Sequence, residues 1–319
     1  MRGWLSKPGE NWWRGETGVK AGYRVLILLA LLYFLPVLIV LSLKGLTLLG
    51  VISHRHNVPV QALPHIKNVS AAQVLKDVRY FQAVLTTFVV EVIQFVWSII
   101  TLLIIARFEG KSIWSYFLNR KKHFRFFFFG FLCACFIMSP VYFSQKDSHY
   151  IGFPVAFFGA FFVFFTCCMV GFSEELIFRG YIQKTVESSI GFWPALVVSS
   201  VLFGACHMSN LSMSTIIHHP LTTFSYLFEH ACTGVLLCIG LRQMGTLWWP
   251  IGFHAAVDFV LISSQSRGFN ITKPLHLVSN VHSDASVYIV IFGLFQLLLA
   301  GLLMLVKRAP RAELVQSAS

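Results

Sequence analysis

Residues 81–106 read FQAVLTTFVVEVIQFVWSIITLLIIA, twenty-six positions carrying a single charged group, Glu91. A helix of about 20 apolar residues is long enough to cross the hydrocarbon of a bilayer. Comparable apolar runs recur at 25–43, 126–143, 153–173, 194–207, 226–241, 247–263 and 287–306. Those at 194–207 and 226–241 are short and must borrow flanking turns to span. The chain as a whole is 56% hydrophobic and 12% charged, where a soluble domain carries roughly 25% charged residues. No soluble core hides that much apolar surface, so the expected class is an all-α, polytopic integral membrane protein with about eight transmembrane helices. The expected organisation is a basic N-terminal interfacial segment at 1–24 and three spans within 25–145. A four-span core follows at 150–265, then a loop, a last span and a basic tail at 266–319.

The first apolar run continues through Leu43 with no Ala-x-Ala-like cleavage site, which favours a retained span over a signal peptide. With both termini cytoplasmic, seventeen Lys and Arg residues fall inside and eight outside, the sense required by the positive-inside bias. A multi-pass protein of the plasma membrane is the expectation. The net charge of +12 is explained by basic flanks facing anionic headgroups, with membrane lipids as partners and no sign of nucleic-acid binding. Trp4, Trp12 and Trp13, and the 113–117 stretch before Arg120, Lys121 and Lys122, read as interfacial helices. The seven cysteines lie in apolar segments without a CxxC pair and read as small hydrophobes. FRFFFFGF at 124–131 reads as lipid-facing bulk.

Five carboxylates lie in or at the edge of these runs: Glu91, Glu174, Glu175, Glu229 and Asp258. Each is expensive in a membrane unless paired or wet, and is a functional candidate for that reason. His207, His230 and His254 join them, so polar groups concentrate in the fourth to seventh runs. Glu91 and Gln94 in the second run read as an interhelical contact.

Helix geometry orders the cluster. Glu175 and Arg179 are four apart and share a face, so they can pair, while Glu174 is rotated from Glu175 by roughly 100°. The fourth helix is expected to run on through Gln183, with a turn at 188–194. Measured from the middle of that turn, Glu174 and His207 are equally distant along the chain, which places them at one depth in an antiparallel pair. His254 and Asp258 also share a face, although counting from the turn leaves His254 shallower than Glu174. A carboxylate and an imidazole can hold and deprotonate a water, and further donors can stabilise the oxyanion of peptide hydrolysis. The same groups could ligate zinc, although neither HExxH nor GxSxG occurs. Phe203 reads as packing. Glu229 and His230 read as interfacial, and His218, His219 and Pro220 as a solvated loop.

Three stretches together resemble the CPBP family of intramembrane proteases, which includes the type II CAAX-processing and bacteriocin-processing enzymes. Glu174-Glu175-Leu176-Ile177-Phe178-Arg179 is similar to its EExxxR motif, Phe203-Gly204-Ala205-Cys206-His207 to FxxxH, and His254-Ala255-Ala256-Val257-Asp258 to Hxxx followed by Asn or Asp. The resemblance covers about 150–265. It implies a membrane-embedded endopeptidase acting on a peptide or protein, lipid-modified or not. In it Glu174 would activate water with His207, Glu175 and Arg179 would brace each other and position Glu174, and His254 with Asp258 would stabilise the oxyanion. Many members have Asn at the last place. Asp258 donates only when protonated, and otherwise orients His254. The resemblance favours a glutamate protease without a metal, with a zinc-dependent membrane protease as an alternative. Other readings of the cluster are a catalytically silent scaffold or immunity protein of the same fold, and a transporter. The absence of an inverted repeat argues against the transporter.

Overall fold

The computed structural model describes residues 18–34, 71–112, 124–144, 153–266 and 283–305, all helix apart from short connections and with no strand among them. In chain order, α1 is Gly18–Leu29, continued by a π-helical turn at Ala30–Phe34; α2 is Ala71–Glu109 and α3 Phe124–Ser144. Next, α4 (Phe153–Glu175) passes through a π-helical segment, Leu176–Gln183, into α5 (Lys184–Ile190), and α6 is Phe192–His207. Then come α7 (Met213–His218), α8 (Pro220–Met244), α9 (Trp248–Ser266) and α10 (Ser283–Leu305).

The all-α membrane architecture is therefore present. Among the described residues, four helices are long and apolar enough to cross a membrane: Phe81–Glu109, Phe157–Ile190, Phe192–Asn210 and Pro220–Met244. Ala21–Leu32, Arg125–Ser139 and Ile289–Leu305 are apolar but shorter. Helix α9 is in neither group; it carries His254, Asp258, Ser263, Ser264 and Gln265. The expected interfacial segments around Trp4, Trp12, Trp13 and 113–117, the tail, and residues 35–43 of the first run lie outside the described residues.

Helix α9 is the hub, packed on α3, α4 and α8, while α8 also packs against α6 and α10. Small residues set these crossings, as befits membrane helices that associate by close packing. A Cβ at Gly171 of α4 would meet the backbone of α9 at 3.1 Å, and one at Gly204 of α6 would meet Leu227 O of α8 at 2.7 Å. A Cβ at Gly252 of α9 would overlap the carbonyl of Phe127 on α3. That crossing corrects the reading of 124–131 as lipid-facing bulk: Phe127 is only 8% exposed and Phe131 packs into the core, whereas Phe128 and Phe129 point outward. A run of phenylalanines carries no period from which to tell these faces apart.

The fourth helix runs beyond Gln183 to Ile190, but its segment after Glu175 is wound as a π-helix with every residue buried. Ser199 of α6 donates to the Phe178 carbonyl there at 3.1 Å, so a neighbouring helix supplies one of the partners that an irregular ladder leaves open. Gly191, at φ 88° and ψ 171°, ends the helix in a positive-φ conformation suited to glycine. The turn falls where the spacing put it.

Candidate active site

The two adjacent glutamates at the end of α4 have different partners. Glu175 and Arg179 are fully buried, and Glu175 Oε1 accepts from Arg179 Nη1 at 2.8 Å and from His254 Nδ1 at 2.9 Å. Arg179 also donates from Nη2 to Gly234 O of α8 at 3.4 Å, and its guanidinium lies 4.2 Å over the Phe203 ring. The pair thus ties α4, α6, α8 and α9 together.

Glu174 points the other way. Its Oε2 is 3.6 Å from His207 Nε2 and 3.9 Å from His254 Nε2, both beyond a direct hydrogen bond. That oxygen is buried and has no hydrogen-bond partner among the described residues. His207 Nδ1 donates to Phe203 O at 2.9 Å, which fixes the ring with Nε2 toward Glu174. In the same manner the Nδ1–H of His254 is committed to Glu175, and its Nε2 faces Glu174 and, at 3.4 Å, Asp258 Oδ2. The equal-depth argument for Glu174 and His207 agrees with this geometry. His254 is not left shallower than Glu174, as counting from the turn predicts, because α4 and α9 come together closely at Gly171.

Phe203 does more than fill space. Its ring lies 4.4 Å from that of His207 at a tilt of 49°, meets His254 edge-on at 5.7 Å and Phe178 at 5.2 Å, and receives Arg179 on its face. One buried ring therefore limits the tilt of both imidazoles. Glu91 is half-buried and Gln94 exposed, so Gln94 is not enclosed between helices among the described residues. His218 and His219 are exposed, as a solvated loop would have them, but His218 closes α7 and Pro220 opens α8, leaving only His219 between the two helices.

The sequence reading misplaced Glu229 and His230. Their side chains are only 14% and 19% exposed, and the His230 ring lies 4.5 Å from that of His207. A usable signal existed. His207 and His230 are equally distant from the 218–219 connection, the same count that paired Glu174 with His207 across the earlier turn.

Glu174, His207 and His254 each offer one ligand atom, all within 4.8 Å of one another. All seven cysteines are free.

Residues 156–260 match the family model described as type II CAAX prenyl endopeptidase Rce1-like, in agreement with the resemblance seen in the three motifs. No curated protein and no solved structure matches the chain. The match spans α4 to α9 and contains every residue of the cluster from Glu174 to Asp258. An Rce1-like domain in an apolar helical bundle supports a membrane peptidase acting on peptides or proteins.

Proposed function

We propose that the chain is an intramembrane endopeptidase in which Glu174 and His207 activate the attacking water. The observation that carries this reading is the division of labour between neighbours: Glu175 engages Arg179 and His254 through Oε1 and leaves only Oε2 without a partner, while Glu174 makes no such bond and its Oε2, buried and without a hydrogen-bond partner among the described residues, faces His207 Nε2. A carboxylate and an unprotonated imidazole nitrogen are two acceptors, and a water has two protons to give them. The water oxygen then adds to the peptide carbonyl carbon as one proton passes to Glu174. The tetrahedral oxyanion lies toward His254, which donates from Nε2 when that nitrogen carries a proton, with Asp258 donating in its acid form or orienting the ring. Collapse breaks the C–N bond, and Glu174 returns the proton to the leaving amine.

The substrate is a peptide or protein presented at the bilayer; the description of the matching family model points to prenylated CAAX tails. The distribution of Lys and Arg favours both termini cytoplasmic, and a plasma-membrane location is part of the same proposal.

A zinc-dependent version has one observation in its favour. Both imidazoles direct Nδ1–H at an acceptor and Nε2 at Glu174, the orientation that ligating histidines take from their outer partners. Glu174, His207 and His254 would hold the ion, which would supply Lewis-acid polarisation. Their donor atoms, spread over as much as 4.8 Å, fit after a modest contraction around metal–ligand bonds of about 2.0–2.2 Å. The metal-free version asks for no contraction and is preferred.

Purified protein in detergent or liposomes, given a peptide substrate, tests both. Glu174→Gln is expected to abolish cleavage and a chelator to leave the wild type active. Equal cleavage by wild type and Glu174→Gln refutes the mechanism. Activity lost to chelator and restored by zinc selects the metal version.

A further inference from the structure

Helix α8 places an adjacent Glu-His pair inside the bundle, where an unneeded charge would be costly. Neither residue belongs to the motifs that carry the proposed chemistry, yet both are held from several sides. His230 Nδ1 lies 2.9 Å from Tyr226 O and 2.8 Å from Glu229 Oε2, so its proton is shared between two acceptors. Glu229 Oε1 in turn accepts from Gln296 Nε2 at 3.3 Å. Thr233 Oγ1 stands 3.1 Å from that oxygen and 2.9 Å from Gln296 Oε1. Gln296 belongs to α10, beyond the segment that matches the family model, and is 1% exposed.

This network terminates on His207. The His207 ring has two ring neighbours, Phe203 at 4.4 Å and 49° and His230 at 4.5 Å and 38°. His230 in turn meets Tyr226 at 4.2 Å. These two contacts clamp the ring of His207, and one of them is anchored through Glu229 to the last helix. An unanchored imidazole on that side would let His207 tilt about its bond to Phe203 O and move Nε2 relative to Glu174.

We infer that His230, locked by Glu229 and Gln296, is a positioning residue that holds the His207 imidazole in line with Glu174. The inference rests on the Glu174–His207 reading of the site. It makes α10 part of the working unit even though that helix contributes no group to the chemistry.

The test compares wild type, Glu174→Gln, His230→Ala and His230→Phe in liposomes, with kcat and KM measured on one peptide. The rate at which diethyl pyrocarbonate labels His207, read by mass spectrometry, is followed in parallel. Removing the ring is expected to lower kcat between about 10- and 100-fold, the scale of a small misalignment of reacting groups, with KM within about twofold. His230→Phe keeps a planar ring beside His207 but loses the tie to Glu229, so it is expected to recover part of kcat, and His207 labelling is expected to accelerate more in His230→Ala than in His230→Phe. The inference is overturned if His230→Ala keeps wild-type kcat while Glu174→Gln is dead, or if His230→Phe is as impaired as His230→Ala. Should Glu174→Gln cleave like the wild type, the peptidase mechanism falls by itself. The labelling rates then decide the clamp alone, equal rates in wild type and His230→Ala refuting it.

Discussion

The buried ion pair gives the most quantitative handle on this site. Arg179→Leu removes the 2.8 Å partner of Glu175 in a place where neither side chain touches solvent. Breaking a buried pair by deleting one member costs roughly 3–5 kcal/mol, because an uncompensated charge stays behind. Here the His254 Nδ1–H, 2.9 Å away, still serves the same carboxylate oxygen, so the lower end, about 3 kcal/mol, is expected. The double variant Glu175→Leu/Arg179→Leu takes away both charges and is expected to regain most of that stability, since apolar replacements of whole buried pairs are often neutral. It is not expected to regain activity, because His254 Nδ1 has lost the acceptor that aims its Nε2, and a cut of at least about tenfold in kcat follows. Equilibrium unfolding in detergent gives the stabilities and peptide cleavage the rates. A single variant less than about 1 kcal/mol destabilised would mean that the pair is not buried as described. A double variant that cleaves at the wild-type rate would mean that Glu175 does nothing for His254.

Two further outcomes follow from the packing and from the third motif. Gly252→Ala would drive a Cβ into the Phe127 carbonyl, which as backbone cannot swing aside. It is expected to cost at least about 1–3 kcal/mol and to lower kcat by displacing His254 two residues on, whereas Gly301→Ala, with nothing within 4 Å, should leave both stability and rate unchanged; tolerance of Gly252→Ala would refute the tight α3–α9 crossing. Asp258→Asn keeps a side chain able to donate 3.4 Å from His254 Nε2 and is expected to stay active, while Asp258→Ala should fall by at least about tenfold in kcat; equal rates for the two would remove Asp258 from the oxyanion site.

How far the sequence could be read depended on whether each contact was fixed by spacing along one helix or across one turn. Glu175 and Arg179 share a face at any reasonable helical pitch, so their pairing survives even though the backbone between them is π-helical. Glu174 and His207 are mirror positions about the junction between residues 190 and 191, and they meet at 3.6 Å. His254 lies beyond two more helices, and its depth is set by the lateral approach of α4 and α9 at Gly171, which residue counting cannot supply. The π-helical segment itself was invisible, because LIFRGYIQ contains nothing that forbids an ordinary helix and the carbonyl served by Ser199 lies on another element. The two faces of the phenylalanine run were hidden because every position in it is equally apolar. Glu229 and His230 were misplaced for a different reason: a charged pair near the start of an apolar run looks interfacial until the neighbouring helix is known to present His207 at the same level.

The accounting of carboxylates argues for Glu174 from another side. Glu175 has Arg179 and His254, and Glu229 has His230 and Gln296. Glu109, at the end of α2, accepts from Tyr181 at 2.8 Å and lies near Arg24 and Lys111. Each of these acids spends an oxygen on joining one helix to another, which is the use that makes a buried charge tolerable. Glu174 is held differently: its ion-pair approaches among the described residues, 3.6 and 3.9 Å, are both to the Nε2 atoms of histidines whose other nitrogens are already engaged. A purely structural carboxylate would have been drawn into direct contact with one of them, because the same low-dielectric surroundings that strengthen a made hydrogen bond make an unmade one expensive. A gap bordered by one carboxylate oxygen and two imidazole nitrogens suits a small polar guest that can donate its two protons to Glu174 and His207 and leave His254 Nε2 free to donate, and a water about to be deprotonated is such a guest.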